Sequence, residues 1–251
     1  VATFPITIND LDFNTGEPDA DGVHWKVDIT AGWDAAELRQ DLLDTLTEGS
    51  ALGGFQRRHR TIVCEGTVVA PSDEAHWAAY NRLTGLVGIR AAVPFIVAEP
   101  GGAKMCTVVT GPGSPKIRTH NGRVFEFQLT LVALDPRKYA VEARSVSMAT
   151  YAGGVAVPNL GSVPSPLRIT LGTLGIFHMS EPGGVVDYQG GPFPTGTVLD
   201  SATRTVRAPG GTNLFHLLAP GFTWPMSAGP GQQFMNVGPT PFTITYRDAW
   251  I

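Results

Sequence analysis

The chain has 251 residues, with 22 acids against 18 bases and with 30 glycines and 20 prolines. That length is enough for one large or two ordinary domains with cores of their own, and the slight acidity argues against a nucleic-acid binder, which needs a basic face. Ala208 to Tyr246 runs 39 residues without Asp, Glu, Lys or Arg, but six glycines and six prolines interrupt it, which excludes a membrane-spanning helix.

Charge is spread unevenly. Residues 1–140 hold 17 acids and 13 bases, whereas residues 141–251 hold five of each, a contrast that reads as two domains with different surfaces. Glycine and proline sit between short β-branched and aromatic runs, the pattern of a β architecture rich in turns rather than of disorder. No positively charged leader with an apolar core opens the sequence, so export through a signal peptide is not expected.

In chain order, ITINDLDFN (6–14) alternates with period 2 and predicts a first strand, followed by an acidic loop with Glu17, Asp19 and Asp21. HWKVDIT (24–30) is again extended. DLLDTLTEGSALGGFQRRHR (41–60) has no sustained period and reads as a long connection, a kind of loop that is usually functional. Its end, Arg57, Arg58, His59 and Arg60, reads as a solvated edge or a salt-bridging contact. Strand patterning returns at 61–70. Ser72 then stands as N-cap to DEAHWAAYNRLTGLVG (73–88), where Asp73 and Glu74 suit the positive helix end and Trp77, Tyr80, Thr84 and Val87 lie at helical spacing. Further strands are predicted at 93–98, 105–110 and 123–133, the last with Phe125, Phe127, Leu129 and Leu131 on the core face. Cys64 and Cys106 fall in strand-like text and read as buried, reduced thiols.

No helical pattern follows. Strands are predicted at 166–172, 197–200, 204–208, 213–218, 232–237 and 241–247, with Leu167, Ile169 and Leu171 on one face and Arg168 and Thr170 on the other. LDSATRTV (199–206) reads as a hairpin with its turn at Asp200 and Ser201. Short strands at this spacing imply an antiparallel sandwich.

Chemical signatures are absent. The chain has no Gly-Lys pair for a P-loop, no GxGxxG, no HExxH and no GxSxG. Histidines 24, 59, 76, 120, 178 and 216 are scattered, and the two cysteines have no His spacing for zinc. A glycan hydrolase needs two flanking acids, and the second half offers only Glu142, Glu181, Asp187, Asp200 and Asp248. No catalytic residue, metal or cofactor is expected.

The order of segments carries more. VALDPRKYA (132–140), PNLGSVPSPLRITLG (158–172), LDSATRTVRAPGG (199–211), FTWPMSAGPGQQFM (222–235) and the closing YRDAWI (246–251) follow one another in a succession that resembles the distal tail (Dit-like) proteins of siphophages, especially the minor tail proteins of actinobacteriophages. The resemblance implies a mainly-β fold: a tail-tube-like, ring-forming domain with one α-helix at 1–144, a linker at 145–157, and a galectin-like β-sandwich at 158–251. It further implies a structural virion protein at the distal end of the tail, made in the host cytoplasm and not inserted in a membrane. Its copies would form a hexameric ring that joins tail tube protein to tail-tip hub protein, with the tape measure protein as a further partner and DNA only in transit. By the same analogy Arg57, Arg58 and Arg60 would meet acidic groups such as the 17–21 loop of a neighbour, and Phe222, Trp224 and Met226 would contact another virion protein. The alternative reading is a carbohydrate-binding host-recognition module that uses Trp224.

Overall fold

Strands dominate the chain, as its alternating runs require, and one α-helix occurs among the described residues. The computed structural model describes residues 4–34, 38–44, 50–57, 59–88, 91–148, 154–175, 178–181, 184–187, 192–218, 226–227, 233–236 and 240–251, with side chains described outside 35–58, 87–90, 149–156, 176–191 and 219–239. Contacts divide the chain into Val1–Lys138 with Ile251, and Tyr139–Trp250.

The first unit contains β1 (Ile6–Ile8), β2 (Leu11–Phe13), β3 (His24–Ala31), β4 (Leu38–Asp44), β5 (Ser50–Arg57), β6 (Arg60–Val69), α1 (Asp73–Gly88), β7 (Val93–Glu99), β8 (Gly102–Thr110), β9 (Lys116–Asn121) and β10 (Val124–Ala133). The main sheet runs β2-β1-β7-β8-β10-β6-β3, and β9 shares with β8 the edge of β10 opposite β6. Its spine is the antiparallel pair β6 and β10, in register from Arg60↔Ala133 to Val69↔Val124. The predicted alternation holds: Phe125, Phe127, Leu129 and Leu131 are buried against Ile62, Cys64 and Val68. Each such side chain contributes about 1.5–3 kcal/mol on burial. Gly66 faces Phe127 across the pair, and a Cβ there would stand 2.4 Å from the Phe127 ring and 2.3 Å from the Lys26 carbonyl oxygen, so only glycine fits. Cys64 and Cys106 are buried and free, and burial pushes both thiols up to about 12.

The two ends of this sheet meet at Asn14, beside the edge-on rings of Phe13 and Trp25 at 5.6 Å. Asn14, in the left-handed region at φ 59°, donates its backbone N–H to Trp25 O at 3.0 Å. Its amide donates to Val27 O (2.7 Å) and Phe4 O (2.8 Å) and accepts from Val27 N (2.9 Å). It thus supplies the rung that a strand would have given to the open edge of β3.

The helix covers 73–88, and the Ser72 hydroxyl accepts from Ala75 N at 3.2 Å as an N-cap. Of the residues singled out at helical spacing, Tyr80 is partly buried against the core and Trp77 is 58% exposed, while the fully buried stripe is His76, Ala79, Leu83 and Leu86. Spacing admits both stripes, and the sheet beneath selects the one with three aliphatic residues. His76 lies edge-on to Phe125 at 5.2 Å, and its ring nitrogens have no hydrogen-bond partner.

The long connection expected at 41–60 is instead largely a hairpin. β4 and β5 pair from Leu38↔Arg57 to Asp44↔Ser50. The register slips between Asp41↔Gly54 and Leu42↔Leu52, leaving Gly53 as the additional residue of a bulge. A bulge breaks the period-2 pattern, which is why no strand was legible there.

The second unit starts within β11 (Lys138–Ala140) and continues with β12 (Arg144–Met148), β13 (Gly154–Ala156), β14 (Ser165–Leu171), β15 (His178–Glu181), β16 (Gly184–Asp187), β17 (Val198–Asp200), β18 (Thr205–Arg207), β19 (Met226–Ser227), β20 (Gln233–Asn236), β21 (Phe242–Tyr246) and β22 (Ala249–Trp250). One sheet runs β12-β21-β14-β17-β18, with β19 also on β14, and another runs β13-β20-β15-β16. Leu167, Ile169, Leu171, Leu199, Val206, Phe242, Ile244 and Tyr246 make the core. Buried Asn159 pins the chain end, donating to Val163 O (2.7 Å) and accepting from Gly161 N (2.9 Å) and Ala249 N (3.2 Å).

Two expectations change here. Residues 145–157, read as a linker, contain most of β12 and all of β13, and β12 pairs with β21 from Arg144↔Tyr246 to Met148↔Phe242. The strand expected at 213–218 is a 3-10 turn over Phe215–Leu217, because the Asn213 carboxamide oxygen accepts from Phe215 N (3.0 Å) and bends the chain. The hairpin at 199–206 forms as read, with Asp200 Oδ1 accepting from Ala202 N (2.9 Å) and Thr203 N (3.2 Å).

Asn14→Ala removes three side-chain bonds and strains a left-handed residue, so denaturant unfolding is expected to show a loss of about 2–4 kcal/mol. Asn14→Gly tolerates the same φ and is expected to recover about 1 kcal/mol of it.

Candidate assembly surfaces

Arg60 was expected to face a partner, and the structure overturns this. It opens β6 on the same side as Ile62 and Cys64 and is 1% exposed. Its Nε and Nη2 donate to Pro136 O at 2.9 and 2.8 Å, and its Nη1 donates to Gly32 O (2.9 Å) and to Trp33 O. Desolvation would be costly for a bare guanidinium, and three carbonyls compensate it. Gly32 makes the approach feasible: at φ 83°, a Cβ would stand 1.7 Å from Thr61 O. The alternation of RTIVCEGTVV was the overlooked signal, since it places Arg60 inward.

A second polar group adjoins it. The Trp33 indole donates to Glu99 Oε1 at 2.5 Å, and Lys104 Nζ lies 2.6 Å from Glu99 Oε2. Buried Lys138 sits 3.8 Å from Glu99 Oε1 and 4.8 Å from the centroid of the Trp33 ring. Burial pushes the Lys138 ammonium below its ordinary range, opposed by Glu99. Burial alone would raise the Glu99 carboxyl, but the bonds from Lys104 and Trp33 and the charge of Lys138 outweigh it and hold it low.

The acidic loop is similarly engaged within its own chain. Asp19 accepts from Asp21 N (3.0 Å), Val23 N (2.9 Å), Trp25 Nε1 (2.9 Å) and Arg82 Nη1 (2.7 Å). Arg82 also lies 5.6 Å over the Trp25 ring. Burial would raise the Asp19 carboxyl, yet these bonds keep it below its ordinary range. Asp19 therefore has its cation already, in place of a neighbour's arginine. Arg57 ends β5 opposite Leu38, and Met226 pairs with Pro166. The side chains of Arg57 and Met226, and the whole of Arg58, Phe222 and Trp224, lie outside the described residues.

What remains open is apolar and scattered, or polar and contiguous. Trp77, Leu134 and Val69 of the first unit and Leu160, Leu174 and Phe215 of the second are exposed large apolar side chains. The outer face of β3, β6, β10 and β9 carries Lys26, Asp28, Glu65, Lys116, Arg118 and Glu126 around a groove of about 590 Å³. Among the described residues no three metal-ligating side chains cluster, and no helix is long and apolar enough to cross a membrane.

No protein-family model matches the sequence, and no curated protein matches it either. Solved structures do match. The chain is similar to the Dit (gp 19.1) protein of phage SPP1, a hub adsorption apparatus protein of a phage infecting Gram-positive bacteria, with TM-score 0.69, 14% identity and 100% of both chains covered. It is also similar to chains of the phage p2 baseplate in its activated conformation with Sr and with Ca. The TM-scores are 0.56 and 0.54, the identities 10% and 9%, and in both 97% of this chain covers 98% of the other. The chain has the mainly-β Dit-like fold throughout its length.

Arg60→Met leaves the carbonyls of Gly32, Trp33 and Pro136 without their donor, and urea denaturation is expected to show a loss of about 3 kcal/mol. Glu99 titrates lower in the folded chain than its ordinary 4.5, so the unfolded chain takes up the proton first as pH falls. Its contribution is full above that value, declines as pH drops through the folded pKa, and is spent below it. Glu99→Gln is expected to be less stable at pH 7 and to lose stability less steeply below pH 4.5, as read by denaturant midpoints across pH.

Proposed function

We propose that this chain is a distal tail protein of a long-tailed phage, a structural part without catalytic activity. Its copies close into a six-membered ring built by the first unit (Val1–Lys138), and the second unit (Tyr139–Trp250) is a galectin-like sandwich. The ring joins tail tube to tail-tip hub and leaves a lumen for DNA. The observation that carries this reading is the fold shared with phage SPP1 Dit over the full length of both chains. A local likeness would argue only for a common module.

A closed ring needs two different patches on each subunit, one meeting the other on the next copy. Buried aromatics dominate such contacts, and Trp77, 58% exposed on the outer side of α1, is the largest apolar side chain of the first unit left open. We assign it to the subunit contact, together with Arg57 and Arg58. Phe222, Trp224 and Met226 are assigned to a contact with another virion protein.

Native mass spectrometry and negative-stain imaging test the reading. Six copies of the 26.6 kDa chain in a ring, alone or with the tube protein, are expected. Trp77→Ser is expected to weaken each subunit contact by about 2 kcal/mol while leaving the circular dichroism of the chain unchanged. A chain that stays monomeric at micromolar concentration with the tube protein present would overturn the proposal.

A further inference from the structure

The five bases of the second unit divide sharply by use. Arg144 Nη2 lies 2.9 Å from Asp248 Oδ2, and Arg247 donates to the carbonyls of Ala140 and Val141. Arg168, Arg204 and Arg207 have no side-chain hydrogen bond or ion pair among the described residues. In a unit with so few charges, all three are exposed. Arg168 points away from the core between buried Leu167 and Ile169, and Arg207 follows buried Val206. Arg204 is exposed in the turn that joins β17 to β18.

Register brings two of them over one cleft. Arg168 pairs with Asp200, which pairs with Thr205, while Val198 on the next outward position of β17 pairs with Arg207. The arginines therefore stand on β14 and β18, two strands apart and offset by two residues, about 12 Å between backbones, and approach the middle strand from opposite sides. The cleft between them has a volume of about 430 Å³, and Thr203 and Thr205 also line it. The only carboxylate in the lining, Asp200, is tied through Oδ1 to two backbone amides of the turn. The Thr203 and Thr205 hydroxyls bond each other at 2.8 Å. One proton closes that bond, so the other is left to donate outward.

Two guanidinium forks and one hydroxyl donor ask for an anion with more acceptor oxygens than a carboxylate carries, and arginine forks match phosphate oxygens in pairs. The lining contains no aromatic residue on which a nucleobase would stack. We propose that this cleft binds a phosphate ester of a sugar or polyol, held by Arg168 and Arg207 with the hydroxyl of Thr203 or Thr205 as a further donor. This assignment stands independently of ring formation.

Isothermal titration calorimetry of the full chain tests it, with glycerol 3-phosphate and a short oligomer of phosphodiester-linked glycerol as probes. Glycerol, an oligothymidylate and an oligoglutamate of equal charge are the comparisons. Saturable binding of both phosphate probes and none of glycerol is expected. R168A and R207A are each expected to weaken the oligomer at least tenfold, and R168K to weaken it less, with unchanged thermal midpoints. Absence of saturable binding, or alanine variants that bind as the parent does, would overturn the site. Tighter binding of the oligothymidylate would assign the cleft to nucleic acid, and tighter binding of the oligoglutamate to an acidic protein partner. Either outcome overturns the phosphate-ester assignment.

Discussion

The first unit hangs on the pairing of β6 with β10. Those strands stay in register from Arg60↔Ala133 to Val69↔Val124, so one set of alternate residues builds the core and the other set builds the outer face. β3 extends this pair on one side, and β8 and β9 share the other. Slipping by one residue would turn Phe125, Phe127, Leu129 and Leu131 outward together. Gly66 guards against that slip, because the Phe127 ring occupies the space where any other residue would place its Cβ. Asn14 completes the arrangement at the far ends, presenting an amide to β3 where a strand is missing.

A second constraint is how the charges are used. Arg60, Asp19, Glu99, Lys138 and Arg82 all bear on contacts within the chain, and each satisfies a neighbour that would otherwise be costly to bury. The same holds in the second unit for Arg144, Arg247 and Asp248. Surfaces left for partners are therefore recognised by subtraction. Arg168 and Arg207 line one cleft without an internal partner among the described residues, and Trp77 is 58% exposed although its ring meets His76 and Tyr80 edge-on.

The uncharged 208–246 stretch takes on a narrower meaning in this light. Part of it is core strand, since Phe242, Ile244 and Tyr246 are buried on β21, and part is the 3-10 turn at Phe215–Leu217. Missing charge there follows from strand interior and turn chemistry, not from concealment alone. A fold shared with phage SPP1 Dit at 14% identity fits this economy. Patterning and turns can be kept while nearly every residue changes.

Chain order by itself determined what depends on near neighbours. Alternation marked the buried faces of β10 and β14, Ser72 marked the helix start, and Asp200 marked a turn, because each rests on groups within a few residues. Tertiary structure alone decided the rest. The bulge at Gly53 hid a hairpin from any periodic reading. The face of α1 was settled by the sheet beneath it, and Arg60 is held by a carbonyl 76 positions away. Whether a charged residue is spent inside or left for a partner depends on what distant segments bring against it. That information lies in the packing and not in the spacing of residues along the chain.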